Sequence, residues 1–463
     1  MSHVVHTEES RWAGLSEVLR MATPIIMGSL SYTVMQFVDT MMVSKLGKPA
    51  LAAVCTSGLA VFTLTTFFLG IVGCVSTFVS QSLGRGQQEN CARYTWQGIH
   101  LAVITGAAGV LVFLPLSGPL FSLMPHSAEV TALELAYGRV RILGFVFVSW
   151  QTALACFFQS VNRPGIPMYT AVLANALNIV LDYVLIFGEF GFPEWGVAGA
   201  ATATVIAQAV QVLLLQAVFL GRGYHGEFGT RTSYQLDPEK VRELVRIGWP
   251  AGMSFFLDVF NWSIFTMLIV GRFGDTALAS HNVAIQFLHL SFLPAIGLNQ
   301  AIAPIVGRWI GRKDMVRAKG RTYTAMALAI GYMSLVGLTL ALFGKPLIRA
   351  CFSKEFEVVR LGHNLMILGA TFQGFDAVNI VLFGALRGAG DTRWILRMTV
   401  AVGYGFFIPT ALFLSMYLGW GAVGAWLGAT LYVVILSGLV FLRFHGEGWR
   451  HVRIFTHDLP DTA

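Results

Sequence analysis

Twelve separate apolar runs of about twenty residues or more divide this chain, and that is the length an α-helix needs to cross roughly 30 Å of hydrocarbon. They lie near residues 16–45, 51–80, 97–123, 137–160, 166–187 and 196–220, then 244–271, 277–306, 322–343, 361–386, 394–418 and 420–442. A length of 463 residues alone would suggest two or three soluble domains, but 55% of the residues are hydrophobic and only 12% charged. So little polar surface does not suit water. The expected fold is an all-α integral membrane protein of twelve transmembrane helices.

The first run follows a polar start, MSHVVHTEES, that lacks a basic region, and it exceeds the roughly 7 to 15 apolar residues of a signal peptide. It reads as a retained first span. Five cysteines, Cys55, Cys74, Cys91, Cys156 and Cys351, show no short-range pairing and are expected to be packing residues, not a disulfide framework or a metal cage. The net charge of +7 does not argue for nucleic acid, because the basic residues are dispersed among loops. With alternating loops, 22 of the 31 Lys and Arg fall on the side holding both termini and 9 on the other. By the positive-inside rule both termini are expected in the cytoplasm, with the chain in the plasma (inner) membrane.

The two halves match at a nearly constant offset. Pro24 pairs with Pro250, LGKPALAA at 46–53 with FGDTALAS at 273–280, Leu83-Gly84-Arg85 with Ile310-Gly311-Arg312, and WGVAGA at 195–200 with WGAVGA at 420–425. Six spans per repeat is an even number, so each half enters and leaves on one side. The halves are then parallel repeats, two six-helix lobes related by a pseudo-two-fold axis along the membrane normal. The expected division is an N-lobe at 1–220, a cytoplasmic connector at 221–243, a C-lobe at 244–445 and a tail at 446–463, with Asp237-Pro238 as a helix start.

Four carboxylates fall inside the spans: Asp39, Asp182, Asp258 and Asp376. An ionised Asp at bilayer depth costs about 2.5 to 3.5 kcal/mol on insertion scales, so each is a functional candidate. Each also has polar neighbours at helical spacing. Gln36 precedes Asp39, Asn175 and Asn178 precede Asp182, Asn261 follows Asp258, and Gln373 and Asn379 flank Asp376. Asp39 lies six residues before Lys45 and Asp182 six before Gly188, which places both about 9 Å from the outer ends of their spans. Thr202 and Thr204 reach a similar level from the same side. Two carboxylates, an Asn amide and a hydroxyl suit Na⁺, with Asp39, Asn178 and Asp182 as its ligands, or a shared proton. Asp258 and Asp376 lie near mid-membrane and form a second candidate site. The structural alternative is that these acids bond Asn, Gln or Thr on neighbouring helices and hold the bundle together.

Other features say less. Pro24, Pro250 and Pro409 fall in spans, where Pro is ordinary. Trp262 and the other aromatics read as packing, and His281 as a hydrogen-bonded core residue. Nothing resembles a P-loop, a nucleophile elbow or HExxH, which argues against an ATP motor or an enzyme.

The segments PIIMGSLSYTVMQFVDTMMVSKLG, NALNIVLDYVLIFG, GVAGAATATVIAQ and FGALRGAGDTR together resemble the multidrug and toxic compound extrusion (MATE) transporters, in the NorM-like branch, over essentially the whole chain. The resemblance implies two lobes forming a V around a central cleft and a secondary active exporter of amphipathic cationic compounds, working by alternating access against Na⁺ or H⁺. It implies no cofactor beyond that coupling ion, and small cationic molecules and the bilayer, not nucleic acid, as partners of a monomer. Carried over, Asp39, Asn178, Asp182 and Thr204 look like the N-lobe cation or proton site, and Asp258 and Asp376 like the C-lobe acids. The family's span 7 acid is usually Glu; here it is the shorter Asp258. A lipid-linked oligosaccharide flippase of the same superfamily is the alternative, though it would want an Arg-rich cleft. A major facilitator carrier lacks support, because its basic loop motif is replaced by SQSLGRGQ.

Overall fold

The computed structural model describes residues 11–122, 126–352 and 354–456. The polar start MSHVVHTEES and the end of the tail, on which the retained start and the tail boundary rest, lie outside the described residues. Every regular element among them is helical. The first half contains α1 (Arg11–Ser44), α2 (Lys48–Gly73), α3 (Val75–Gly84), α4 (Gln88–Ser122), α5 (Ala128–Leu143), α6 (Phe145–Ser160), α7 (Gly165–Phe187) and α8 (Gly196–Phe219). A short α9 (Arg222–Phe228) lies in the connector. The second half contains α10 (Pro238–Ile264), α11 (Asp275–Gly311), α12 (Met315–Cys351), α13 (Phe356–Ala389), α14 (Thr392–Val402), α15 (Ile408–Leu412) and α16 (Gly421–His445).

Among the described residues eleven stretches are long and apolar enough to cross a membrane, with α2 and α3 continuing each other across Cys74; α5 and α6, bent by 41°, pass the same test together and make a twelfth when counted as one span. The helices outrun the apolar runs that reveal them. α12 begins at Met315 and carries Arg317, Lys319 and Arg321 in its first turns, and α5 begins at Ala128 and carries Glu129 and Glu134. A charged side chain marks the edge of hydrocarbon but does not end a helix, since Glu, Lys and Arg are good helix formers. Pro24 and Pro250 lie inside α1 and α10. Near Pro409 the helix passes through two π turns, Gly403–Phe407 and Phe413–Tyr417, the local unwinding expected where Pro removes a backbone donor.

Contacts group the chain into two compact units. One holds Met27–Trp262, Gly390–Val400 and the described residues from Val452; the other holds the described residues up to Ile26, Ser263–Ala389 and Ala401–His451. The grouping cuts through α1, and it keeps most of α10 with the first half. Glycine explains part of this. In the first unit a side chain at Gly248 of α10 would come within 2.6 Å of the Ile71 carbonyl of α2, and one at Gly252 would meet α2 as well, so these two backbones touch. Ion pairs explain the rest. In the second unit Glu17 of α1 bonds Arg308 of α11 at 2.5 Å and Arg321 of α12 at 2.6 Å.

Three of the five cysteines, Cys74, Cys91 and Cys156, are buried as packing residues should be, whereas Cys55 and Cys351 are exposed. His281 is buried and doubly bonded: Trp426 Nε1 donates to its Nδ1 at 3.1 Å, and Thr266 Oγ1 lies 2.9 Å from its Nε2. Nδ1 is thereby an acceptor, which leaves the proton on Nε2.

Candidate acid site

In the first unit the local sequence brings α7 and α8 close together. A Cβ at Gly199 would lie 2.7 Å from the Leu185 carbonyl carbon, so only glycine allows this approach. The approach carries the backbone N–H of Thr204 to Asn178. With its amide nitrogen toward α7, Asn178 donates to Asp182 Oδ2 at 3.1 Å and accepts from Thr204 N at 3.2 Å. The opposite amide orientation would set oxygen against oxygen. Asp182 and Asn178 are 0% and 1% exposed. One turn earlier, Asn175 donates to Ser31 Oγ of α1 at 2.9 Å and ties that helix to α7. Asp39 of α1 is buried, and its Oδ1 has no hydrogen-bond partner.

The charge of Asp39 acts on Asp182, and the charge of Arg141 acts on both. The two acids expected to meet are therefore within electrostatic reach of each other, with a cation beside them. Arg141, near the end of α5, was not expected here: the sequence reading counts it among the outer loop charges. Its Nε and Nη1 are buried without hydrogen-bond partners. Tyr137, one turn back on α5, is buried and feels Asp39, Asp182 and Arg141. The signal lay in the spacing, because Glu134, Tyr137 and Arg141 share one face of α5 at i, i+3 and i+7.

Some expected participants stand elsewhere. Gln36 is exposed and donates to the Tyr32 hydroxyl at 2.9 Å instead of facing Asp39. The hydroxyls of Thr202 and Thr204 bond their own helix, to the carbonyls of Ala198 at 2.7 Å and Ala200 at 3.0 Å. Thr204 joins the site through its backbone, not through its hydroxyl proton.

Of the remaining acids, Asp258 belongs to the first unit and Asp376 to the second. Both are partly buried. Near Asp258, Asn261 is 0% exposed, and neither its amide nitrogen nor its oxygen has a partner. Near Asp376, the Gln373 oxygen accepts from Ser291 at 3.1 Å while its nitrogen is unpaired, as is the Asn379 oxygen. Buried amides with open valences are costly in an apolar bundle and suit a polar guest.

Comparison with known proteins bears on the family and the fold. The MatE family matches residues 24–184 and 250–413, the same stretch of each half. The chain is 31% identical to a probable multidrug resistance protein NorM of Bradyrhizobium diazoefficiens, covering 92% of each chain. It is 29% identical to the multidrug resistance protein NorM of Burkholderia vietnamiensis, covering 93% of each. Among solved structures, an outward-facing multidrug resistance MATE transporter superposes with a TM-score of 0.87 at 20% identity, over 95% of this chain and 97% of that one. The fold is thus the MATE transporter fold.

Proposed function

Because the chain belongs to the MatE family, whose members are transporters and not enzymes, we propose that it is a secondary active multidrug exporter that antiports amphipathic cationic compounds against Na⁺ or H⁺ by alternating access. The observation that carries this reading is the buried Asp39–Asp182 pair with Asn178, on α1 and α7, braced by the Thr204 backbone of α8. Two acids held at membrane depth, one with an open oxygen, are ready to take up a monovalent cation and lose it again. Asp39 and Asp182 with one Arg carry a single net negative charge when ionised, which one H⁺ or one Na⁺ neutralises. Asp258 and Asp376 are the further coupling acids of this reading, with Asn261, Gln373 and Asn379 as their polar support. The relatives named as multidrug resistance proteins support drug-like cations as cargo. The working form is a monomer in the inner membrane with both termini in the cytoplasm and no cofactor besides the coupling ion.

Coupling requires that ion binding favour one conformation over another, since a ligand without that preference shifts nothing. The test is efflux of a fluorescent lipophilic cation from proteoliposomes under an imposed Na⁺ or H⁺ gradient, for wild type, Asp39→Asn and Asp376→Asn. Gradient-driven efflux that either Asn form abolishes supports the reading and identifies the ion. A folded wild type that moves no dye under either gradient points instead to a lipid-linked oligosaccharide flippase.

A further inference from the structure

A second buried acid lies on α5, beyond the Asp39–Asp182 cluster and toward the end of the bundle away from the basic loops. Glu134 is 0% exposed, and its Oε1 accepts from His126 Nδ1 at 2.9 Å and from the Thr56 hydroxyl of α2. Its Oε2 has no partner. The His126 side chain is 29% exposed, so this pair reaches from solvent to the interior. A structural role needs no acid here, because an amide could accept the same bonds without burying charge.

Two elements, α5 and α2, carry residues between Glu134 and the acid cluster. Along α5, Tyr137 and Arg141 lie one and two turns below Glu134 on the same face, about 5 and 10 Å along the axis, and both feel the cluster's acids. Along α2, Cys55 adjoins Thr56 and feels Asp39 directly. The other helices packed on α5 add little charge. α8 has no titratable side chain, the outer half of α4 has none, and α6 has only Cys156. On α5 itself Glu129 lies in the first turn and Arg139 turns to Ser117 of α4 at 3.3 Å, and α2 carries Lys48 at its start.

We propose that His126 and Glu134 form a proton-binding relay between the outer solution and the Asp39–Asp182 cluster. The partly exposed imidazole of His126 can exchange its proton with water at the surface. The imidazolium passes its Nδ1 proton to Glu134 and becomes neutral; Glu134 then gives up that proton to a carboxylate of the Asp39–Asp182 cluster, which takes it up, and returns to its own carboxylate form. This inference rests on the ion-coupled exporter reading and narrows it to H⁺ entering through the first half of the chain.

The test measures dye efflux from proteoliposomes against outer pH, with dye binding to the detergent-solubilised protein as the check on folding. Glu134→Gln and His126→Ala should each slow H⁺-driven efflux by on the order of a hundredfold, the low end of what a positioned proton-transfer group contributes. Dye affinity should be retained, and imidazole added outside should restore His126→Ala. Wild-type rates and pH profile in His126→Ala, or a loss that imidazole does not restore, would overturn the relay. If Glu134→Gln binds no dye, the histidine variant decides alone. Efflux driven only by Na⁺ removes the relay and leaves the exporter, whereas a wild type that exports under no gradient removes both.

Discussion

Asp237 stands immediately before Pro238, and its carboxylate accepts from the backbone N–H groups of Glu239 at 3.1 Å and Lys240 at 3.3 Å and from Lys240 Nζ at 2.8 Å. It therefore caps α10, and Pro at the first helical position gives up no hydrogen bond there. Partial burial pushes its carboxyl up, but the bonds and charge of Lys240 outweigh that and hold it below the usual carboxylate range. A depressed folded-state value means stability that is present above the unfolded value, near 3.9, and lost as pH falls through the folded one. Asp237→Ala should lower stability by about 1 kcal/mol at neutral pH, and the difference should shrink in the acid range as pH falls through the carboxyl's depressed folded-state value. Thermal unfolding in detergent at pH 7 and in that acid range reads both. This cap was legible in the sequence as the dipeptide Asp237-Pro238, and the buried acids were legible because charge in an apolar run is conspicuous. Arg141 and Glu134 were not, because charges near the edge of a run look like loop residues. Nor can spacing separate Gln36, turned to Tyr32, from Asp39, turned inward.

At the scale of elements, the first helix of each half is held partly by the other half, and the anchors are repeats of one another. Glu17 and Glu243 stand at the same offset as Pro24 and Pro250, and their partners Arg321 and Tyr94 at the offset of Arg312 and Arg85. Glu17 binds Arg308 and Arg321, whereas Glu243 accepts from the Tyr94 hydroxyl and from Thr456 N and Oγ1, each at 2.5 Å. One anchor is thus an ion triad and the other a single acid among neutral donors. The Arg308 and Arg321 side chains are 5% and 11% exposed, so removing the Glu17 charge takes an ion partner from two nearly dry cations. Breaking a buried pair costs about 3–5 kcal/mol, less here because Glu17 is 21% exposed, while a lost hydrogen bond to a charged group costs about 1.5–3. Glu17→Gln should therefore lower the unfolding temperature more than Glu243→Gln. The reverse order would mean that the triad is relieved by water or salt. The repeat was visible in the sequence; the exchange of anchors was not, because a repeat says which residues correspond and nothing about which half each one touches.

For the whole molecule, the property that most needs a direct measurement is orientation, which governs on which side His126 meets water. Twelve spans would put both termini on one side, and the excess of 22 basic residues over 9 predicts that this side is cytoplasmic. The chain carries its own reporter. Cys351 ends α12 and is exposed, on the side opposite the Arg- and Lys-rich loop that starts the same helix, and Cys74, Cys91 and Cys156 are buried. Cys55, also exposed, is changed to Ser so that a single reactive thiol remains. A membrane-impermeant maleimide should then label Cys351 in intact cells, and Cys351→Ser should abolish the signal. Labelling that requires permeabilised cells would reverse the orientation and put His126 in the cytoplasm. The His126–Glu134 pair would then serve proton release on the inner side, and the direction of export would have to be assigned anew.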